Sequence, residues 1–365
     1  MKRTTYCFLT LFVTMYLISS CSQKEEQGGG IAWDCRETNV DDTIDIHSFF
    51  PHGRILCLEE TEKSRLAVID KIEFMDSLVF ILDGRMARKV FIFNAHNGKF
   101  VSSIGSIGHG RGEYYSIEDF ALDPVEESVY VLCERDKIIQ YDFSGNVRNV
   151  MKLGFFAWKM EYSNKRFYFM SDDPGRGYVI VTNEKLDVEK ELAINTPETP
   201  MLINRHPIQK RLDGTVSYYR YLDNNIYVID DKNEQEVLYA LDYGSNALSL
   251  EQVHGMSDDE VTDLERKSRC NLKYYAETDK FAAMLFFDNR KPQISILAKE
   301  TGIVTTLPYD MVKDPYFGEL PGSIEYATDK EFIICIGKEK IKEELVVNKD
   351  CNYGENPALY FLNYD

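Results

Sequence analysis

The 365-residue sequence predicts an all-β fold, a six-bladed β-propeller with four-stranded antiparallel blades, the last blade closed by an N-terminal strand. Three observations carry that prediction. One strand–turn–strand pattern recurs six times, its period is that of a propeller blade, and the chain ends before the sixth copy has its outermost strand.

The copies run in order. Residues 78–104 read LVFILD, KVFIFN, the turn AHNGK and FVSSI, and residues 129–153 read VYVLCE, KIIQYD, the turn FSGN and VRNVMKL. Residues 167–194 give FYFMSD, YVIVTN and LDVEKELAI, and residues 226–250 give IYVID, EVLYAL, the turn DYGSN and ALSL. Residues 281–307 give FAAMLFFD, QISILA, the turn KETG and IVTTL, and the last copy gives FIICIG, a charged insertion and ALYFLN. Each run is short, rich in Val, Ile, Phe and Tyr, and bounded by turn residues, which is the pattern of a strand. A further strand-like segment precedes most copies, as in LAVIDKIEFM, SIEDFALD and SIEYATD, and brings the number to four per copy.

The open edge of the sixth copy needs cover, because an unpaired strand edge invites aggregation. Residues 43–49, Thr43-Ile44-Asp45-Ile46-His47-Ser48-Phe49, alternate like a half-buried strand and belong to no copy. They are expected to pair with the C-terminal strand, so the propeller is expected over residues 41–365. One segment reads as helix: Ser257-Asp258-Asp259-Glu260 is a capping box, followed by VTDLERKSR.

Between the first two copies lies Ile104-Gly105-Ser106-Ile107-Gly108-His109-Gly110-Arg111-Gly112-Glu113-Tyr114, then Asp119-Phe120 and Ala121-Leu122-Asp123. This stretch resembles a loop and strand of the six-bladed β-propeller lipoproteins of Bacteroidetes, which are distantly similar to NHL-repeat propellers. Arg111 stands where that loop usually has Pro. The resemblance covers most of residues 41–365; it implies the fold and no particular chemistry.

The N-terminus reads as an address. Lys2 and Arg3 precede a nearly apolar run, Tyr6 to Ile18, too short for a membrane-spanning helix of about 20 residues. It suits a secretory signal over residues 1–20. Ile18-Ser19-Ser20-Cys21 resembles the lipobox of bacterial lipoproteins, which implies cleavage before Cys21 and lipidation of its thiol. Lys24, Glu25 and Glu26 resemble the surface-export signal of Bacteroidetes lipoproteins, and with Gly28-Gly29-Gly30 they suggest a flexible tether over residues 21–40. The expected location is the outer membrane, lipid-anchored and facing outward, with the periplasmic face as the alternative.

Loss of Lys2 and Arg3 with the signal takes the formal charge from −18 to −20. So acidic a chain disfavours nucleic acid as a partner. Cys57, Cys133 and Cys335 lie in apolar runs and read as core residues, whereas Cys35, Cys270 and Cys351 lie in polar stretches where a disulfide is permitted but not selected.

No catalytic motif stands out. The Gly-rich loop leads into a strand rather than a helix, so it reads as an inter-blade crossover shaped by Glu113 and Tyr114 and not as a phosphate cradle. No HxH, HExxH or G-x-S-x-G pattern occurs, and no metal or cofactor is expected; His109 would be the first ligand to test. Polar stretches carrying Arg85, Arg135, Asp173, Arg176 and Arg290 each join the second and third strands of a copy, which places them on one face of the disc as a candidate binding face. Tyr218, Tyr219 and Tyr221 could add stacking surface there. His109, Arg111, Glu113 and Tyr114 form a candidate loop site. The expected function is a cell-envelope lipoprotein that binds a protein or glycan partner through a propeller face without catalysis. The alternative is an enzyme, a metal-assisted lyase or hydrolase, with its site in the central channel.

Overall fold

A computed structural model of the chain describes residues 30–38, 42–196 and 204–364. Cys21, Lys24, Glu25 and Glu26 lie outside the described residues. Three N-terminal strands come first: β1 (Ile31–Asp34), β2 (Ile44–Asp45) and β3 (His52–Cys57). Blade 1 is β4 (Lys71–Met75), β5 (Leu78–Asp83), β6 (Lys89–Asn94) and β7 (Phe100–Ile104). Blade 2 is β8 (Ile117–Asp123), β9 (Ser128–Cys133), β10 (Lys137–Asp142) and β11 (Val147–Lys152); blade 3 is β12 (Lys159–Ser163), β13 (Arg166–Met170), β14 (Gly177–Asn183) and β15 (Val188–Ile194). Blade 4 is β16 (Ile208–Lys210), β17 (Val216–Tyr219), β18 (Asn225–Ile229) and β19 (Gln235–Asp242). A helix, α1 (Asp258–Glu265), leads to blade 5: β20 (Arg269–Glu277), β21 (Phe281–Asp288), β22 (Lys291–Ala298) and β23 (Ile303–Pro308). After β24 (Val312–Lys313), blade 6 is β25 (Ile324–Ala327), β26 (Glu331–Ile336) and β27 (Ala358–Asn363), completed by β3.

The strands are apolar on both faces because both faces are buried. Side chains alternate across a strand. In β5, Phe80 and Leu82 enter the core shared with blade 2, while Val79 and Ile81 enter the core shared with blade 6. Similar cores fill the other four blade junctions. The capping box at Ser257 and Glu260 starts α1 as expected.

Closure corrects one expectation. β3, not residues 43–49, pairs antiparallel with β27, from Ala358↔Cys57 to Asn363↔His52. The Arg54 guanidinium grips Glu331 with two hydrogen bonds of 2.9 and 2.7 Å and lies 3.7 Å over the Phe361 ring. The expected segment breaks as a strand after two residues. Ile44 and Asp45 pair in parallel with Val312 and Lys313, and the Asp45 carboxylate accepts the His47 N–H at 2.8 Å, capping a 3-10 turn over Ile46–Ser48. Ile46 and Phe50 are then spent as a plug between blades 5 and 6. The run Ile55-Leu56-Cys57-Leu58, apolar on both faces, is the one that suits a doubly buried blade strand.

Two further corrections concern the N-terminus and blade 4. Part of the expected tether is held against the disc: β1 adds a fifth, parallel strand outside β19, and the fully buried Trp33 donates from Nε1 to Ser295 Oγ at 2.8 Å on blade 5. In blade 4 the expected copy is displaced by one strand. IYVID is the third strand and EVLYAL the fourth, while ALSL lies outside the sheet. The missed strands, β16 and β17, are short and follow polar residues. Tyr218 and Tyr219 therefore sit in the core at 1% exposure, and Tyr221 at 9%, so none offers stacking surface.

Truncating the closing strand tests this register. Leu56→Ala, in a fully buried site, should cost about 2–5 kcal/mol in urea unfolding, whereas Ile44→Ala should cost under about 1 kcal/mol. The reverse order would mean that residues 43–49 close the ring.

Candidate functional site

A ring of blades leaves the inner edges of six strands, β4, β8, β12, β16, β20 and β25, facing one axis. Those edges carry backbone N–H and C=O groups with no strand beside them, and such groups need partners when buried. Lys71 on β4 and Asp119 on β8 supply them. The Lys71 ammonium donates to the carbonyls of Phe120 (2.8 Å) and Met160 (3.2 Å) and to Glu161 Oε1 (2.6 Å). It also lies 3.0 Å from Glu73 and 3.5 Å from Asp119. Asp119 in turn accepts the Met160 N–H at 3.0 Å and its neighbour Phe120 N–H at 2.9 Å. One buried cation thus joins the inner strands of three blades.

The electrostatics follow from that packing. Burial alone would lower the Lys71 pKa, but the charges of Asp119, Glu161 and Glu73 outweigh it and hold the ammonium above the ordinary lysine range. Glu161 and Glu73 share this one cation, and burial leaves both above the carboxylate range, Glu161 up to about 8. Across the axis, burial and the charges of Lys159, Lys71 and Arg205 push His206 well below its usual pKa, so its imidazole is neutral. Its Nε2 lies 2.6 Å from the Tyr326 hydroxyl. Burial also lowers Lys159.

Beside this cluster opens a cavity of about 910 Å³. Lys71, Glu73, Glu161, His206 and Glu325 line its polar interior; Phe74, Met75, Leu122, Pro124 and Leu212 add apolar surface, and Lys210, Arg211, Thr328 and Asp329 are further polar lining. The inner strands run towards the turns at Asp76, Leu212 and Asp329, so the cavity lies on the side of the first-to-second-strand turns. Most lining charges have partners within the protein: Lys71 holds Glu73 and Glu161, Arg211 contacts Glu277 at 2.5 Å, and Glu325 lies 3.4 Å from Arg205.

Residues 31–363 match the family described as a domain of unknown function, DUF4934. The chain belongs to that family. Its structure is similar to that of a Bacteroides fragilis protein thought to be exported, with TM-score 0.73 and 18% identity over 91% of this chain and 98% of the other. A Bacteroides vulgatus member of the DUF4221 family aligns with TM-score 0.55 and 10% identity over 85% and 96%. At these identities the likeness is one of fold, and it meets the expected resemblance to six-bladed propellers of Bacteroidetes. No curated protein matches the sequence.

In this DUF4934 chain the sequence-predicted binding face lies on the opposite side of the disc from the cavity. The turns between second and third strands share that face with the blade crossovers. Arg85 pairs with Asp70 at 2.9 Å and Arg135 with Asp172 at 2.5 Å, and the Arg135 guanidinium stacks 3.7 Å over Trp158. Arg176 pairs with Glu191 at 3.0 Å, Asp173 accepts the Phe156 N–H at 3.1 Å, and Arg290 is exposed in a tight turn. Arg–carboxylate pairs thus ring this face, though mostly with partners outside the turns themselves.

The loop residues divide. Tyr114 is fully buried, and its hydroxyl donates to the Arg88 carbonyl at 2.8 Å. Glu113 folds back to accept the Gly110 N–H at 2.8 Å. A Cβ on Gly105 would lie 1.8 Å from the Tyr114 hydroxyl, and a φ of 107° there suits glycine alone. Arg111 and His109 are exposed, and His109 contacts Tyr115. Among the described residues no group of three His, Cys, Asp or Glu side chains is placed to hold a metal.

The axial cluster was missed as a site. Its signal was present in the innermost-strand segments, where charges interrupt otherwise strand-like runs: Lys71 and Glu73, Asp119, Lys159 and Glu161, and Glu325.

Two expectations follow for stability. Lys71→Met leaves Glu73, Glu161 and Asp119 without their cation and should cost about 3–5 kcal/mol at pH 7.5, less at pH 5, where keeping Glu73 and Glu161 protonated in the fold costs less; urea unfolding at both pH values measures it. In the wild type, a carboxyl raised to about 8 binds more protons folded than unfolded, so stability should fall as pH rises from the ordinary carboxylate range towards 8. Glu161→Gln should flatten that slope, and an unchanged slope would assign it to another group.

Proposed function

We propose that this chain is a cell-envelope lipoprotein, anchored through lipid on Cys21, whose propeller binds a neutral glycan in the axial cavity without transforming it. The observation that carries the reading is the cavity itself: about 910 Å³, lined by hydrogen-bonding groups whose charges are largely neutralised in place. Such a lining offers donors and acceptors to hydroxyl groups but little net field to a charged ligand. Phe74, Met75 and Leu122 give apolar surface against which a sugar ring can pack.

The anchor rests on the lipobox at Ile18-Ser19-Ser20-Cys21 and the short charged and apolar segments before it. The likeness to a Bacteroides protein thought to be exported agrees with it. Lys24, Glu25 and Glu26 favour the outer face of the outer membrane. On this reading the Arg-rich face, with Arg85, Arg135, Arg176 and Arg290, is free for a protein neighbour, since the cavity opens on the other side.

Turnover is the second reading, favoured by one observation. Glu73 and Glu161 both lie within 3.0 Å of Lys71 Nζ, hence less than twice that apart, and both hold protons more tightly than usual. Paired carboxylates at about 5–5.5 Å serve retaining glycoside hydrolysis.

Calorimetry with a panel of neutral and uronate-bearing oligosaccharides tests the binding. A neutral oligosaccharide should bind, Lys210→Ala should weaken it about tenfold without changing the unfolding midpoint, and chromatography after overnight incubation should return the oligosaccharide intact. Binding only of charged sugars, or none across the panel, would overturn the glycan reading, and cleavage products would favour turnover. For the anchor, Cys21→Ser should move the protein from the membrane to the soluble fraction and abolish fatty-acid labelling; membrane retention would refute lipid anchoring there.

A further inference from the structure

Cys57 ends the closing strand, and its free outer edge is covered by residues 346–351 of the insertion in blade 6. Ile55 bridges Val346 in parallel, and the Val347 N–H donates to the Ile55 carbonyl at 3.0 Å. The Asn348 amide then does what a neighbouring strand would do for Cys57. Its Oδ1 accepts the Cys57 N–H at 3.0 Å, and its Nδ2 donates to the Cys57 carbonyl at 2.8 Å. The Cys351 N–H donates to the Asn348 carbonyl at 2.9 Å, which turns the chain so that Cys351 Sγ sits 3.4 Å from the Cys57 carbonyl oxygen.

Both side chains belong to the apolar core between blades 5 and 6, and both are free thiols. Burial, and then the proximity of Cys351, pushes the Cys57 thiol up to about 12. Cys351 is less buried and stands at about 11. Neither thiol is adjacent to the axial cavity or to the Arg-rich face, so ligand binding leaves the pair unused.

We propose that Cys57 and Cys351 form a disulfide that fastens the closing strand to the blade it completes. The Cys351 thiolate, the more accessible of the two, attacks a small-molecule disulfide such as glutathione disulfide. An S–S bond forms to Cys351 and one glutathione leaves as its thiol. The Cys57 thiolate then attacks Cys351 Sγ and displaces the second glutathione. Two electrons pass from the two cysteines to the oxidant, and their two protons end on the two glutathione thiols. The crosslink would join the first blade strand in the chain to the last blade and enclose almost the whole propeller, which constrains the unfolded chain strongly. Its occurrence in the cell rests on the export reading, because such bonds persist in oxidising compartments; its formation in purified protein does not.

The test is oxidation of the purified full chain with glutathione disulfide at pH 8.5, followed by thiol blocking and peptide mass spectrometry. A Cys57–Cys351 linked peptide should appear, with an unfolding midpoint several degrees higher that returns on reduction. Cys351→Ser, at a half-buried site, should fold with the midpoint of the reduced wild type and lose both signals. Cys57 and Cys351 both still alkylatable after oxidation, a stable glutathione adduct on Cys351, or a crosslink to any other cysteine would overturn the proposal. Cell fractionation reports on export separately, so a crosslink in vitro with a cytoplasmic location would sink the export reading and leave the chemistry standing.

Discussion

Every blade of this molecule depends on the pairing of β3 with β27. A blade has two apolar faces, and each face is buried only by the next blade round. Five blades and three strands of a sixth would leave two apolar faces and a strand edge open at one junction. The six backbone pairs from Ala358↔Cys57 to Asn363↔His52 remove that junction. They join β3 to the third strand of blade 6, so the ring cannot close until β27 has been made. Arg54 adds a charge-assisted grip on Glu331 across the same sheet.

Closing the ring creates the axis, and the axis creates the polar cluster. Six inner edges cannot be packed with hydrocarbon, because their carbonyls and amides would be left without partners. Lys71 and Asp119 resolve this for β8 and β12 by bonding to backbone groups directly. A lone buried ammonium would be costly, so Glu161, Glu73 and Asp119 gather round it. The same arrangement that satisfies the strand edges therefore leaves a hydrogen-bonding floor beneath the cavity. Stability and the polar lining of the cavity have one physical origin here, the unpaired inner strand.

How much of this was legible in the sequence depended on the range of the interaction. Blade strands such as LVFILD and KVFIFN announce themselves because two buried faces demand unbroken apolar runs. The closing strand was misplaced by a few residues because Ile44 and Ile46 alternate as a strand would, and only the Asp45 cap and the burial of Ile46 and Phe50 show why they turn aside. Blade 4 slipped because β16 has three residues and its neighbour β17 four. Turn order puts Arg85, Arg135, Arg176 and Arg290 on one face, but their partners come from elsewhere in the fold: Asp70 for Arg85 from a crossover, Asp172 for Arg135 from the next blade, and Glu191 for Arg176 from β15. The axial site was harder still. Lys71, Asp119 and Glu161 come from three different blades, and only closure brings them together.

The N-terminal strap ties three blades together. β1 lies outside blade 4, the Thr38 N–H reaches the Thr306 carbonyl on blade 5 at 2.8 Å, Ile44 pairs with Val312, and β3 completes blade 6. The strap thus crosses three blades before it closes the ring. A pull on the chain ahead of β1 would load the rim of blade 4 first, not the closing strand. Trp33, buried and bonded to Ser295 on the next blade, is what such a pull would have to extract. The closing strand is thereby shielded from a load applied ahead of β1, because the rim of blade 4 takes that load first.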